Sequence, residues 1–217
     1  MSAAPWPELK RDLVAILRGI EPHETRDIVA ALADAGFEAI EIPLNSPDAF
    51  NSVEIAAKAF GSECLIGAGT ILTVEEVRRV NDAGGKLFVS PNTQPDVIRS
   101  AASCGMVCMP GVFTPTEALS ALDAGASGLK FFPATVLGPV GISNIQAILP
   151  KGTVIAAVGG VGEANFGDYA KVGIRAFGLG SSIYKPGASA LEIAKKARSV
   201  ISAYDISFDV HAPGSGT

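Results

Sequence analysis

Residues 106–134 read MVCMPGVFTPTEALSALDAGASGLKFFPA and contain one full strand–helix–strand unit. Met106–Val112 is a short apolar run, with the composition of a strand buried on both faces. Thr114-Pro115-Thr116-Glu117 follows as a helix start, pairing a capping hydroxyl with a proline whose missing N–H costs nothing in a first turn. Ala124-Gly125 closes that helix, and Gly128–Ala134 begins the next apolar run.

The unit repeats outward in both directions. Further strand candidates are Leu13–Ile20, Ala39–Leu44, Cys64–Thr70, Lys86–Pro91, Thr153–Val161 and Ala176–Ile183. Pro22-His23-Glu24-Thr25 opens a helix that Ala35-Gly36 closes, and Thr73 caps Val74–Ala83. Helix-ending glycines recur at Gly36, Gly84, Gly125 and Gly173, each just before a strand. Eight units result, the last helix running from about Pro186 to Tyr204. Eight is the number that closes a (β/α)8 TIM barrel, so residues 1–206 are assigned to a single barrel. A doubly wound open sheet shares the same periodicity and is the alternative. Residues 207–217, ending Pro213-Gly214-Ser215-Gly216-Thr217, are expected to form a flexible tail.

Composition narrows the function. The 217 residues are 48% hydrophobic and 18% charged, with net charge −5 and no basic block longer than a pair. A nucleic-acid interface needs a basic stripe, and none is present. No apolar stretch is long enough to span a membrane, and Met1–Lys10 lacks a signal-peptide core. Cys64, Cys104 and Cys108 form no metal or disulfide framework, which fits reduced thiols and a cytoplasmic location. The only histidines are His23, near a helix start, and His211, in the tail. Neither metal-dependent chemistry nor a Ser-His-Asp triad is expected from so few, and no metal or cofactor is predicted.

Barrel enzymes carry their reacting groups at the C-terminal ends of strands. Three charges interrupt apolar strands: Arg18, Glu41 and Lys130. In Leu129-Lys130-Phe131-Phe132, period-two alternation puts Lys130 opposite Leu129 and Phe131. Lys86 and Lys151 precede strands, whereas Lys58, Lys171, Lys195 and Lys196 fall on helices. An uncompensated buried ammonium costs several kcal/mol, so a strand lysine needs a reason: catalysis, or a structural pairing with a carboxylate. Glu41 and Lys130 lie on the second and sixth strands, which contribute to a common interior layer. Glycine-rich loops, Val158-Gly159-Gly160-Val161-Gly162 before a helix start at Glu163-Ala164-Asn165 and Gly178-Leu179-Gly180-Ser181-Ser182, follow strands seven and eight. That is the frequent phosphate position of this architecture. On the residues alone, a lysine-based aldolase competes with a sugar-phosphate epimerase or isomerase and with a non-catalytic phosphate-ligand barrel.

Several runs resemble the keto-deoxy-phosphogluconate/phosphogalactonate aldolases, in order, over residues 10–205. They are Ala15-Ile16-Leu17-Arg18-Gly19, Glu41-Ile42-Pro43-Leu44-Asn45-Ser46-Pro47, Ile66-Gly67-Ala68-Gly69-Thr70, Ser90-Pro91-Asn92, Leu129-Lys130-Phe131-Phe132-Pro133, Ala157-Val158-Gly159-Gly160-Val161 and Gly178-Leu179-Gly180-Ser181. The resemblance implies Lys130 as Schiff-base lysine and Glu41 as proton donor and acceptor. It implies substrate contacts from Arg18, Thr70, Gly160, Gly180 and Ser181, a homotrimer, and no cofactor. Asn45 and Val158, where the gluconate enzymes usually carry arginine and threonine, resemble the galactonate branch. The implied reaction is class I aldol cleavage of 2-dehydro-3-deoxy-6-phosphogalactonate to pyruvate and D-glyceraldehyde 3-phosphate, with the gluconate epimer as the alternative substrate. The tail is not part of the family pattern.

Overall fold

Each of the eight apolar runs contributes strand in the computed structural model, which describes residues 4–209. The strands are β1 (Leu13–Ile16), β2 (Ala39–Pro43), β3 (Leu65–Gly69), β4 (Leu87–Val89), β5 (Val107–Met109), β6 (Gly111–Val112), β7 (Leu129–Phe131), β8 (Ile155–Val158) and β9 (Ala176–Leu179). Between and after them lie α1 (Pro22–Ala35), α2 (Ala49–Phe60), α3 (Val74–Asp82), α4 (Pro95–Ser103), α5 (Pro115–Asp123), α6 (Ala134–Gln146), α7 (Phe166–Ala170) and α8 (Ala190–Phe208).

All pairings are parallel, in the order β5-β4-β3-β2-β1-β9-β8-β7-β6. The two ends of that order are halves of one strand. Pro110 has no N–H to give a ladder, so the fifth strand breaks there into β5 and β6. The break does not open the sheet. β5 pairs with β4, β6 pairs with β7, and Lys130 N donates to Pro110 O at 2.9 Å. The barrel therefore closes around eight strand positions, and the open-sheet alternative falls.

Alternation along the strands separates two apolar layers. Val14, Ile16, Ala39, Leu87, Val89, Val107, Met109, Ala156, Val158 and Ala176 pack together inside the barrel. Their neighbours Leu13, Ala15, Ile40, Ile42, Leu129, Phe131 and Phe177 face the helices. Thr73 and Thr114 accept from the N–H of Glu76 and Glu117, and both glutamates answer through reciprocal bonds, so α3 and α5 start where expected. Gly36, Gly84, Gly125 and Gly173 all adopt positive φ, the left-handed geometry that ends a helix.

The N-terminal mouth is plugged. Trp6 packs with Leu9 and Ala4 on the interior cluster, and its indole N–H donates to Asp12 Oδ1 at 2.8 Å. At the other end of the chain, α8 runs past the expected Tyr204. Phe208 is buried against Tyr204 and Phe177, so aromatic packing carries the helix two residues beyond the expected barrel boundary. Residues 210–217 of the expected tail lie outside the described residues.

Candidate active site

Lys130 is the middle residue of β7, flanked in register by Gly111 and Ala156. Small neighbours on both sides leave room for a long side chain inside the barrel. The residue is only 6% exposed. Burial pushes its amine below the usual lysine range, Arg18 pushes the same way, and the charge of Glu41 opposes both. Its ammonium lies 5.2 Å from the ring centroid of Phe132, which shares its face as alternation requires.

Glu41 is 2% exposed on β2. Burial raises its carboxyl above the usual range, against the pull of Lys130 and Arg18. Glu41 Oε2 is sealed from solvent and has no hydrogen-bond partner. The space it occupies exists because of Gly69 on the neighbouring strand β3. A Cβ there would come within 1.5 Å of Glu41 Oε2. Gly69 is thus part of how the carboxyl is placed, although nothing in its local sequence marks it. The structure brings the two expected catalytic side chains into one interior, each within the other's electrostatic reach. A buried amine and a buried carboxyl, each pushed toward its neutral form, can exchange a proton with a substrate at small cost.

Arg18 and Thr70 stand at the C-terminal ends of β1 and β3 and line a cavity of about 930 Å3 that also includes Lys130. Asn45 does not line it. Its Oδ1 instead accepts from Arg18 Nη1 at 2.6 Å, while Ser46 Oγ accepts from Gly19 N at 2.9 Å. The loop after β2 thereby holds the arginine. Thr70 adopts φ 57°, an uncommon conformation for a β-branched residue. Glu41 lies behind the cavity wall.

The cavity extends to the glycine-rich loops, where Gly160, Gly180, Ser181 and Val158 all line it. Gly160 has φ 73°, and a Cβ there would meet Thr135 Cγ2 at 2.1 Å, so no larger residue fits. Val158 packs opposite Gly178 and presents a methyl wall. One expectation is corrected. The helix after β8, α7, begins at Phe166, not at Glu163, and is five residues long. Asn165 takes the intervening loop for itself, accepting from Gly162 N at 3.0 Å and donating to Gly160 O at 3.1 Å. A helix this short adds little dipole. Lys195 and Lys196, read from sequence only as helix residues, line the same cavity. Their position depends on how α8 folds back over the strand ends, which no local pattern reveals.

Comparison with known proteins places this geometry in context. Residues 9–197 match the family model described as "Aldolase: KDPG and KHG aldolase". The "Probable 2-dehydro-3-deoxy-6-phosphogalactonate aldolase" of Rhizobium meliloti (strain 1021) is 61% identical over 205 residues, covering 94% of this chain and 97% of that protein. The "2-dehydro-3-deoxy-6-phosphogalactonate aldolase" of Escherichia coli (strain K12) is 44% identical over 197 residues, 91% of this chain and 96% of the other. A solved structure described as "Native KDPGal structure" superposes with a TM-score of 0.92 at 42% identity, covering 94% of this chain and 99% of its own.

Proposed function

The chain belongs to the KDPG and KHG aldolase family and is a carbon–carbon lyase; from that premise we propose that Lys130 and Glu41 cleave 2-dehydro-3-deoxy-6-phosphogalactonate through a Schiff base. The observation that carries the assignment is a single lysine buried inside a barrel strand with a buried, unpartnered carboxyl in the same interior.

The chemistry follows from those two groups. A lysine at its ordinary pKa is neutral only about once in two thousand at pH 7, so lowering the value frees the lone pair. The neutral amine of Lys130 attacks the C2 ketone, and the carbinolamine loses water as Glu41 supplies the proton. The protonated imine then serves as an electron sink. Glu41, as carboxylate, takes the C4 hydroxyl proton directly or through a water, the C3–C4 bond breaks, and its electron pair forms the enamine. D-Glyceraldehyde 3-phosphate leaves. The enamine is reprotonated at its terminal carbon and hydrolysed to pyruvate, returning Lys130 to the amine.

In this reading Arg18 and Thr70 hold the substrate carboxylate, and the N–H groups of Gly160, Gly180 and Ser181 hold the phosphate. Val158 and Asn45 set the epimer preference. Val158 offers no hydroxyl to hydrogen-bond the C4 configuration of the gluconate acid, and both relatives above carry the galactonate name. A cytoplasmic homotrimer completes the proposal, to be checked by mass in solution.

The test is reduction with borohydride in the presence of pyruvate, followed by peptide mass analysis. One pyruvate-derived group per chain at Lys130 is expected. Labelling elsewhere, or none, would overturn the Schiff-base assignment.

A further inference from the structure

The substrate phosphate carries close to two negative charges at neutral pH. The glycine loops that are assigned to it supply only N–H dipoles. Four residues of α8, Glu192, Lys195, Lys196 and Ser199, line the same end of the cavity. Their spacing puts them on one stripe of the helix. Lys196 Nζ donates to Ser181 O at 3.4 Å, which ties its ammonium to the loop after β9. In that loop Ser182 lines the cavity, while its Oγ is sealed from solvent and has no hydrogen-bond partner.

The charges at this end are those of Lys195, Lys196, Glu163 and Glu192. Glu192 is committed elsewhere, since its Oε2 accepts from Ser189 N at 2.8 Å and Ser189 Oγ at 2.7 Å. Glu192 keeps its charge, so two cations and two carboxylates line this end, and of the two cations it is Lys196 that is bonded to the loop assigned to the phosphate. Lys196 is exposed along the helix. An ammonium on a flexible stem is suited to following a phosphate as it binds and leaves.

We propose that Lys196 is a phosphate-binding residue, closing its ammonium on the terminal phosphate beside the loop after β9. The inference deepens the aldolase reading and rests on it.

The test measures kcat/KM for the 6-phosphorylated 2-keto-3-deoxy acid and for the same acid without phosphate. Wild type, Lys196→Met and Lys196→Arg are compared. In Lys196→Met the preference for the phosphorylated acid should fall roughly 10- to 100-fold, chiefly through KM, as loss of one charged hydrogen bond implies. Lys196→Arg should recover most of it, and inhibition by inorganic phosphate should weaken in parallel with the lost preference. An unchanged preference, or an equal fall on both acids, overturns the role of Lys196. Pyruvate and borohydride labelling of wild type separates the two claims. Labelling at Lys130 with an unchanged preference overturns this inference alone, whereas no labelling overturns the aldolase mechanism and this inference with it.

Discussion

Arg11–Asp205 and Lys130–Glu41 are both buried pairs of opposite charge, built in opposite ways. Arg11 and Asp205 meet through two parallel bonds, Nε to Oδ1 and Nη2 to Oδ2, each 2.6 Å. The carboxylate of Asp205 raises the arginine above its ordinary value. That pair ties the N-terminal segment to α8 near the plugged mouth, and its charges stabilise each other. Lys130 and Glu41 form no such fork. Glu41 Oε2 stays unpartnered, and burial drives the lysine down and the glutamate up. One pair is settled by its own geometry; the other is left for a third party to satisfy. In this fold, structural and chemical use of buried charge differ in whether the hydrogen bonds are already made.

The difference breaks most plainly under substitution. Lys130→Met/Glu41→Gln should abolish cleavage entirely while leaving the fold as stable as wild type, or more stable by about 1–4 kcal/mol, because two poorly satisfied ionisable groups are gone. Arg11→Met should do the reverse. It removes the buried two-bond fork to Asp205 and is expected to cost about 3–5 kcal/mol with the groups lining the cavity untouched. Urea denaturation with an assay on the folded fraction reads both quantities. A double variant that is less stable than wild type by several kcal/mol would mean that Lys130 and Glu41 are a structural pair after all.

The active pair also depends on a neighbour that the settled pair lacks. Gly69→Ala would drive a methyl to within 1.5 Å of Glu41 Oε2, so the carboxyl must move. A misplacement of that order costs roughly 10²-fold in turnover. Imine formation with pyruvate should persist, because Lys130 is not displaced. Stopped-flow or trapping experiments that found turnover intact would show that Glu41 can work from more than one position.

What the sequence disclosed here follows the same division. Strands and helix ends were legible because their signals are local: short continuous apolar runs, threonine caps at Thr73 and Thr114, and closing glycines at Gly36 and Gly125. Lys130 and Glu41 were legible because a charge inside an apolar strand is costly wherever it occurs. The split of the fifth strand at Pro110 was not read from the sequence, because the apolar run Met106–Val112 continues on both sides of it. Gly69 and Lys196 were not legible in their roles. The first bears on a side chain of the adjacent strand, and the role proposed for the second depends on the fold of α8 over the barrel. The length of α8 was underestimated for a similar reason, since Phe208 is held by Phe177, thirty-one positions earlier in the chain.

The subtlest consequence of the comparison lies in pH. Glu41 has a raised value in the fold, so between the ordinary glutamate value of 4.5 and that raised value the native state holds a proton the unfolded chain has released. Its favourable contribution is complete below 4.5 and is lost as pH climbs through the raised value. Lys130 has a lowered value, so between that value and 10.5 the unfolded chain holds a proton the native state has released. Stability linked to Lys130 therefore rises with pH across that window. At low pH only the lysine carries a cost, at high pH only the glutamate does, and between them both do. Lys130→Met/Glu41→Gln should accordingly exceed wild type in stability most near neutral pH, with the gap narrowing toward both extremes. Denaturation midpoints of the two proteins at matched pH values measure the gap directly. A gap that stayed flat from acid to alkaline pH would mean that burial does not perturb these two groups, and the reason proposed for a nucleophilic Lys130 would fall.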